Sequence, residues 1–243
     1  MCISKERLKV WLAKVLFGVE KNDDDRKVQR PNEKSTLKSL WYDGTEREWM
    51  GALNSYYYML GQEQRKIDSY LERIDSNEVK EMSEHEFYDF LYDKYFVWKY
   101  TAKNRLATTR SNLEKYIKNG ELHVLKDVQT RLFATSKNNV VACLKVASEI
   151  RGLGTAGASG LLAVLFPESF GTVDQFVVKR LREIDHPIYN KTLAAMNPEG
   201  LKVKDGAVLI EIMKEKAAEL NKQFNTDFWT PRKIDMVLWA YGR

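Results

Sequence analysis

One segment departs from an otherwise helical pattern, and it reads Ile150-Arg151-Gly152-Leu153-Gly154-Thr155-Ala156-Gly157-Ala158-Ser159-Gly160. On both sides of it, apolar residues recur at the three- and four-residue steps of an amphipathic helix. Gly152 and Gly154 can adopt backbone angles that other residues avoid, so one helix is predicted to end and another to begin there. The segment therefore predicts a tight glycine hairpin between two helices.

The hairpin also predicts a place where an anion binds. The N–H groups of Gly152 and Gly154 are not covered by a side chain, and they precede the positive end of the following helix. A phosphate group of DNA is a suitable ligand for such amides. Together with Leu153 and Thr155, these glycines form the candidate DNA-binding turn.

The same glycines allow a second interpretation. Gly152, Gly154 and Gly157 satisfy the G-x-G-x-x-G pattern of dinucleotide-binding folds, and Asp174 stands where a ribose-binding acid could lie. That fold needs a buried strand before the first glycine and further alternation of strands and helices. Residues 148–151 instead close an amphipathic helix, so the pattern favours the hairpin over the dinucleotide fold.

The composition is that of an ordinary globular protein. Of the 243 residues, 44% are hydrophobic and 30% are charged, and 39 Lys and Arg residues outnumber 34 Asp and Glu residues. The resulting net charge of +5 favours an anionic partner such as nucleic acid, although solvated lysines explain it equally well.

Several other classes are disfavoured by the sequence. The longest apolar stretches, such as Gly160 to Phe166, are far shorter than the roughly 20 residues needed to cross a bilayer, so no membrane partner is expected. Met1 to Gly18 lacks the continuous apolar block of a signal peptide, so a cytoplasmic protein is expected. Cys2 and Cys143 are too few and too far apart for a zinc or iron–sulfur site, so no metal and no other cofactor is expected.

Helical periodicity covers almost the whole chain, which predicts an all-α fold. Thr45 with Glu48 and Ser83 with Glu86 have the spacing of capping boxes that begin helices. Further helices are predicted at 102–117, 122–133, 138–150, 206–224 and from residue 230 onward. Residues 1–40 are predicted to form an N-terminal helix and a polar linker that runs over 21–39, and residues 41–243 one helical region.

Residues 150–182 contain several features in a characteristic order. They are the hairpin Gly152-Leu153-Gly154, Ala158 in the second helix, the turn Pro167 to Gly171, and Val173-Asp174 before another helix that continues with Phe176, Val177 and Leu181. In these features the chain resembles the helix-hairpin-helix DNA glycosylase superfamily. The resemblance implies a two-lobed helical bundle whose C-terminal helices pack back on the rest. It also implies a duplex DNA partner and base excision, and we expect a monomer.

The resemblance implies a role for Asp174. Its carboxylate would stabilise the oxocarbenium-like sugar as the base leaves, or orient the attacking water, as carboxylates do in other glycosidic cleavages. Asp is also a favoured N-cap residue, and capping of the following helix would explain Asp174 without catalysis. The two roles are compatible, because a helix N-terminus holds a carboxylate in place.

The chain departs from the superfamily at Ala156. In bifunctional members, a Lys two residues after the second hairpin glycine attacks the sugar, and Ala156 occupies the matching position here. The resemblance therefore implies a monofunctional DNA glycosylase without lyase activity, or a non-catalytic helix-hairpin-helix DNA-binding module.

An aromatic and basic cluster follows a predicted helix. Trp98 and Tyr100 are candidates for the base pocket, because an enzyme that extracts a base needs an aromatic surface for it. Lys99, Lys103 and Arg105 are candidates for DNA backbone contacts. The alternative is that the aromatic residues belong to the core and the cations to a solvated face. The resemblance implies a base-excision protein to which this cluster would belong, and the damaged or modified base is not specified.

Overall fold

Helices form all the regular secondary structure of residues 36–241, the part of the chain that this computed structural model describes. The predicted all-α fold is confirmed for that range, and the predicted N-terminal helix lies outside it. The helices are α1 (Leu37–Asp43), α2 (Glu46–Met59), α3 (Gln62–Leu71), α4 (Ser76–Glu81), α5 (Glu84–Asp89), α6 (Phe96–Lys99), α7 (Lys103–Leu113), α8 (Lys115–Lys118), α9 (Leu122–Ala134), α10 (Val140–Ser148), α11 (Thr155–Leu165), α12 (Gln175–Ile184), α13 (Asn190–Ala195), α14 (Val203–Phe224) and α15 (Pro231–Tyr241).

Side-chain caps fix where α2 and α5 begin. The backbone N–H of Glu48 donates to Thr45 Oγ1 at 3.4 Å, and the Thr45 N–H donates to the Glu48 carboxylate at 2.8 Å. Ser83 and Glu86 form the same reciprocal pair before α5. Both predicted capping boxes are confirmed.

Some helix boundaries differ from the predicted ones. α1 begins at Leu37, inside the segment predicted as a polar linker, because the Thr36 side chain accepts a hydrogen bond from the Ser39 N–H and caps the helix. The helix predicted at 102–117 divides at Glu114 into α7 and α8. Helices α3 and α4 were not predicted, because polar residues dominate their sequences, and the six-residue helix α13 was not predicted either.

The last helix, α15, packs against α2, α12 and α14. Its apolar residues belong to the main hydrophobic core, and this core also contains the tryptophans that hold α1 and α2 in place. Trp49 lies between Trp41 and Trp229, with ring centroids 6.0 and 5.6 Å apart, respectively. Such aromatic contacts fix neighbouring elements through a large buried area.

The glycine segment connects α10 to α11, and both helices pack against α14. Gly152 has a φ of +95°, in the left-handed region that favours glycine. A Cβ added there would lie 2.9 Å from the carbonyl oxygen of Thr109 in α7. Glycine is therefore needed at this turn for its backbone angle and for the close approach of α7.

A π-helical segment, Phe90–Tyr95, leads from α5 into α6. The wider turn of a π-helix changes which way the following residues face, and such turns are frequent at functional sites. Tyr95, Phe96 and Trp98 are buried, whereas Lys99 is only partly buried. The π-helical segment is thus followed, in α6, by the buried Trp98 and the partly buried Lys99.

Candidate active site

A cavity of about 360 Å³ lies where α2, α3, α6, α12 and α15 approach one another. This volume falls within the roughly 300–1,000 Å³ of small-molecule sites. It is lined by Tyr56, Met59, Leu60, Gly61, Gln64, Trp98, Lys99, Thr101, Thr172, Asp174, Phe176, Val177, Arg232, Asp235 and Trp239. The lining therefore combines aromatic surface with two acids, a lysine and an arginine.

Asp174 stands at the edge of this cavity as the N-cap of α12. Its Oδ1 accepts hydrogen bonds from the N–H groups of Phe176 at 2.9 Å and Val177 at 3.1 Å. Within residues 36–241, Oδ2 accepts no hydrogen bond. The predicted capping role is confirmed, and one carboxylate oxygen remains uncommitted at the cavity.

Two buried side chains fix the backbone that precedes Asp174. The Asp235 carboxylate accepts a hydrogen bond from the Thr172 N–H at 2.7 Å, and Ser159 Oγ accepts one from the Val173 N–H at 2.9 Å. Ser159 belongs to α11 and Asp235 to α15, so two different helices position this loop. Among the described residues, the buried hydroxyl of Thr172 has no hydrogen-bond partner of its own, and Thr172 lines the cavity.

A buried ionic network lies beneath the cavity. Arg232 Nη1 donates to Asp235 Oδ1 at 2.8 Å, and its Nη2 donates to the Tyr56 hydroxyl at 3.1 Å. Asp68, which is 2% exposed, accepts hydrogen bonds from the Tyr56 hydroxyl and from Trp98 Nε1, both at 2.7 Å. These bonds hold Tyr56 and Trp98 against the cavity.

Burial and partners act in opposite directions on the titration of this network. Burial raises the pKa of the Asp235 carboxyl, and Arg232 beside it lowers the pKa again, with a net rise. Burial also raises the pKa of the Tyr56 hydroxyl well above its ordinary value. Tyr56 is therefore neutral at physiological pH and acts as a hydrogen-bond donor to Asp68.

Lys99 lines the cavity from α6, on the side of the glycine hairpin. A Cβ added to Gly160 of α11 would lie 3.1 and 3.3 Å from Lys99 Cδ and Cε, so the lysine stem lies directly over this glycine. Burial lowers the pKa of Lys99, and the negative charges of Asp174 and Asp235 offset part of that effect. The sequence predicted a DNA-backbone contact for Lys99, whereas the structure places it in the cavity beside Asp174.

The two aromatic candidates for the base pocket are separated. Trp98 lines the cavity, while the Tyr100 hydroxyl lies against Gly157 of α11. Burial raises the pKa of Tyr100 to about 12, so its hydroxyl is neutral at physiological pH. Tyr95 lies in the same region, and its hydroxyl donates to the Gly157 carbonyl oxygen. Tyr95 and Tyr100 thus join the π-helical and α6 region to the hairpin.

The candidate DNA-binding residues divide into buried and accessible ones. Leu153 is buried, with 6% of its surface exposed, so its side chain faces the protein. Gly154 is exposed with no heavy atom within 4 Å of an added Cβ, and it caps α11 without a side-chain hydrogen bond. Lys103 and Arg105 are exposed on α7, which also contacts the hairpin turn through Thr109.

Two further features of the described residues bear on function. No helix in this range is long and apolar enough to cross a membrane. No group of three or more His, Cys, Asp and Glu side chains in residues 36–241 is arranged to hold a metal ion.

Several residues at the cavity were not assigned to it from the sequence. Tyr56 belongs to the run Tyr56-Tyr57-Tyr58, and it is both buried in the core and part of the cavity lining. Arg232 and Asp235 were not singled out at all. The two residues are three positions apart on an otherwise apolar helix, so they lie on the same face of it. Because charges on a buried face must be paired, this spacing is a sequence signal for a buried ion pair.

Comparison with known proteins finds no relative: no protein-family model, no curated protein and no solved structure matches this chain. An all-α fold hosts many unrelated functions, so it does not define one here. The cavity and its charged side chains are therefore the basis on which a function can be assigned.

Proposed function

We propose that this protein binds duplex DNA and cleaves the N-glycosidic bond of a damaged or modified base, with Asp174 as the catalytic carboxylate. The observation that supports this most directly is the geometry of Asp174. Its Oδ1 is fixed by two backbone amides, and its Oδ2 is uncommitted beside a cavity with aromatic walls. A flipped base needs such walls, and a developing sugar cation needs such a carboxylate.

The proposed reaction needs only the sugar, water and this carboxylate. The bond between C1′ and the base nitrogen breaks, and its electron pair leaves with the base. Positive charge then develops on C1′ and the ring oxygen, where a carboxylate stabilises it. Water adds to C1′ and loses a proton, the departing base nitrogen takes up a proton, and an abasic deoxyribose and a free base remain. Because Ala156 supplies no amine, a monofunctional reaction of this kind is the one that the hairpin alone predicts.

The hairpin region supplies the proposed DNA contact. Gly154 is open to solvent, and α11 begins there without a side-chain cap, so its first amides are available to a phosphate. The exposed Lys103 and Arg105 lie on the helix that contacts the same turn. We also propose that the hairpin and its two helices form a helix-hairpin-helix module, and that the protein has two lobes and is a monomer.

The test is release of a free base from duplexes that each carry one damaged or modified base. Asp174→Asn keeps the size and much of the capping of the native side chain, but it removes the negative charge. We expect the variant to bind DNA like the wild type and to release base on the order of 100-fold more slowly.

Asp185→Asn is the matched control, because it removes a carboxylate from the other end of the same helix. Asp185 has a φ of +59°, a conformation that Asn also adopts, and its side chain is exposed. The control should release base at the wild-type rate. If folded Asp174→Asn also does so, Asp174 is only a cap, and a non-catalytic DNA-binding module is the better assignment.

A further inference from the structure

The reaction proposed above uses Asp174 and leaves a second functional group in the cavity without a role. Lys99 lines the same cavity, and its stem lies over Gly160 of α11. Residues four apart are neighbours on a helix surface, so Gly160 lies one turn after Ala156 on the same face. The Lys99 stem thus lies, from a different helix, over the face of α11 that carries Ala156 and Gly160.

Other lysines with limited exposure in the described chain are held by hydrogen bonds. Lys216 is buried, and its Nζ donates to the Trp41 carbonyl at 2.8 Å and to Glu219 at 2.7 Å. Lys137 and Lys233 donate to backbone carbonyl oxygens at 2.7–2.8 Å. Within residues 36–241, no hydrogen bond or ion pair joins the Lys99 ammonium to another group. Hydrogen bonds within the protein explain why Lys216, Lys137 and Lys233 are held where they are. No such bond explains the position of Lys99 at the cavity.

We propose that Lys99 is a nucleophile that forms an imine with C1′ of an abasic deoxyribose bound in this cavity. The inference rests on the proposed function, because it assigns the substrate of Lys99 to the product of base release. It also adds a covalent intermediate with the product to the monofunctional reaction that Ala156 predicts.

The step balances without any further reactant. The abasic sugar opens to its aldehyde, and the neutral amine of Lys99 attacks the aldehyde carbon. The C1′–N bond forms, the carbonyl oxygen leaves as water, and a protonated imine remains. Overall, an ammonium and an aldehyde become a protonated imine and water, with no net change in protons. The positive imine lies in the field of Asp174, which stabilises it.

The surroundings of Lys99 favour this chemistry in two ways. Burial favours the neutral, nucleophilic form of an amine, as in other imine-forming lysines. The groups that face the amine are Asp174 at the start of α12 and Asp235 and Arg232 of α15. The two carboxylates partly oppose deprotonation, but Arg232 acts in the same direction as burial, and the net effect is a lowered pKa of Lys99.

The test is reductive trapping on DNA that already lacks the base. The full chain is incubated with a duplex that contains one abasic site, with sodium borohydride present, and the covalent protein–DNA adduct is measured on a denaturing gel. We expect an adduct with the wild type and its loss in Lys99→Met and Lys99→Arg. Lys179→Met is the matched control, since Lys179 is exposed on α12, and it should keep the adduct.

Mass spectrometry of the wild-type adduct keeps the test decisive if a Lys99 variant does not fold. The modified peptide is expected to contain Lys99, and modification elsewhere overturns the inference. No adduct in the wild type overturns it as well. Because the substrate has no base, trapping is independent of base release. A protein that traps abasic DNA but releases no base contradicts the proposed glycosylase function alone, while one that releases base without trapping contradicts the role of Lys99 alone.

Discussion

Two charged regions face the same cavity, and they differ in how fully their charges are paired. Arg232, Asp235 and Asp68 are buried, and each makes direct hydrogen bonds to the others or to Tyr56. Elsewhere in the lining, Asp174 keeps one oxygen uncommitted, and among the described residues no hydrogen bond joins Lys99 to a partner. The first region is thus paired within the fold, whereas the second keeps groups without a hydrogen-bond partner at the cavity. It follows that changes in the first should mainly affect stability, and changes in the second mainly reactivity.

The largest effect on stability is expected for Asp235→Ala. This change removes the nearer of the two carboxylates of the buried Arg232 guanidinium, at 2.8 Å, and leaves only Asp68 at 3.5 Å. It also leaves the Thr172 N–H without its acceptor. Removal of one partner from a buried ion pair costs about 3–5 kcal/mol, because the other charge stays buried and unpaired. We expect the melting temperature to fall by roughly 6–20 °C in a calorimetric scan.

Asp127→Ala is the matched control for this change. Asp127 also pairs with an arginine on its own helix, at 2.7 Å from Arg131, but its side chain is 63% exposed. An exposed ion pair contributes about 0–1 kcal/mol, so the control should melt close to the wild type. Equal losses in Asp235→Ala and Asp127→Ala would show that the network beneath the cavity does not hold the fold together.

A smaller loss of stability is expected from a change in α11 at the point where it contacts Lys99. In Gly160→Ala, the added methyl group would lie 2.7 Å from the buried Tyr95 hydroxyl and close to the stem of Lys99. Overpacking costs about 1–3 kcal/mol, and the higher helix propensity of Ala returns about 1 kcal/mol. We expect a net destabilisation of about 1 kcal/mol in urea unfolding, together with slower adduct formation on abasic DNA because Lys99 is displaced.

Gly51→Ala separates helix propensity from packing in that experiment. Gly51 lies within α2, and nothing is found within 4 Å of an added Cβ. The substitution should therefore stabilise the protein by about 0.5–1 kcal/mol. If Gly160→Ala were stabilising to the same degree, α6 would not be packed against α11 in the way that places Lys99.

The sequence could predict the local parts of this site but not the distant ones. Asp174 was found because the hairpin, the turn and the helix start lie within one short segment. The position of Lys99 depends on how α6 packs on α11, and no periodicity within either helix specifies that contact. Asp68 and Arg232 are 164 residues apart, so their pairing exists only after folding. Ser159 reads as a small residue in a helix, and only the structure shows that it holds Val173.

Removal of the Lys99 charge is expected to stabilise the protein slightly. Lys99→Met keeps much of the side-chain volume and removes an ammonium that burial disfavours. Functional sites commonly carry such costs, and their removal gains stability, here by about 0.5 kcal/mol at pH 7. Lys145→Met is the control, because Lys145 is exposed on α10, and it should change stability by less than about 0.5 kcal/mol in either direction.

The pH dependence identifies the source of the gain in Lys99→Met. The pKa of Lys99 is lower in the folded protein than the ordinary lysine value of 10.5, so between the two values the unfolded chain binds more protons than the folded one. In that window the stability of the wild type rises with pH. The advantage of Lys99→Met should therefore be complete below the folded pKa and shrink as the pH approaches 10.5. Urea unfolding of both proteins at neutral and alkaline pH measures this difference. A constant advantage would assign the gain to packing, and a loss of stability at neutral pH would show that Lys99 is paired as firmly as Arg232.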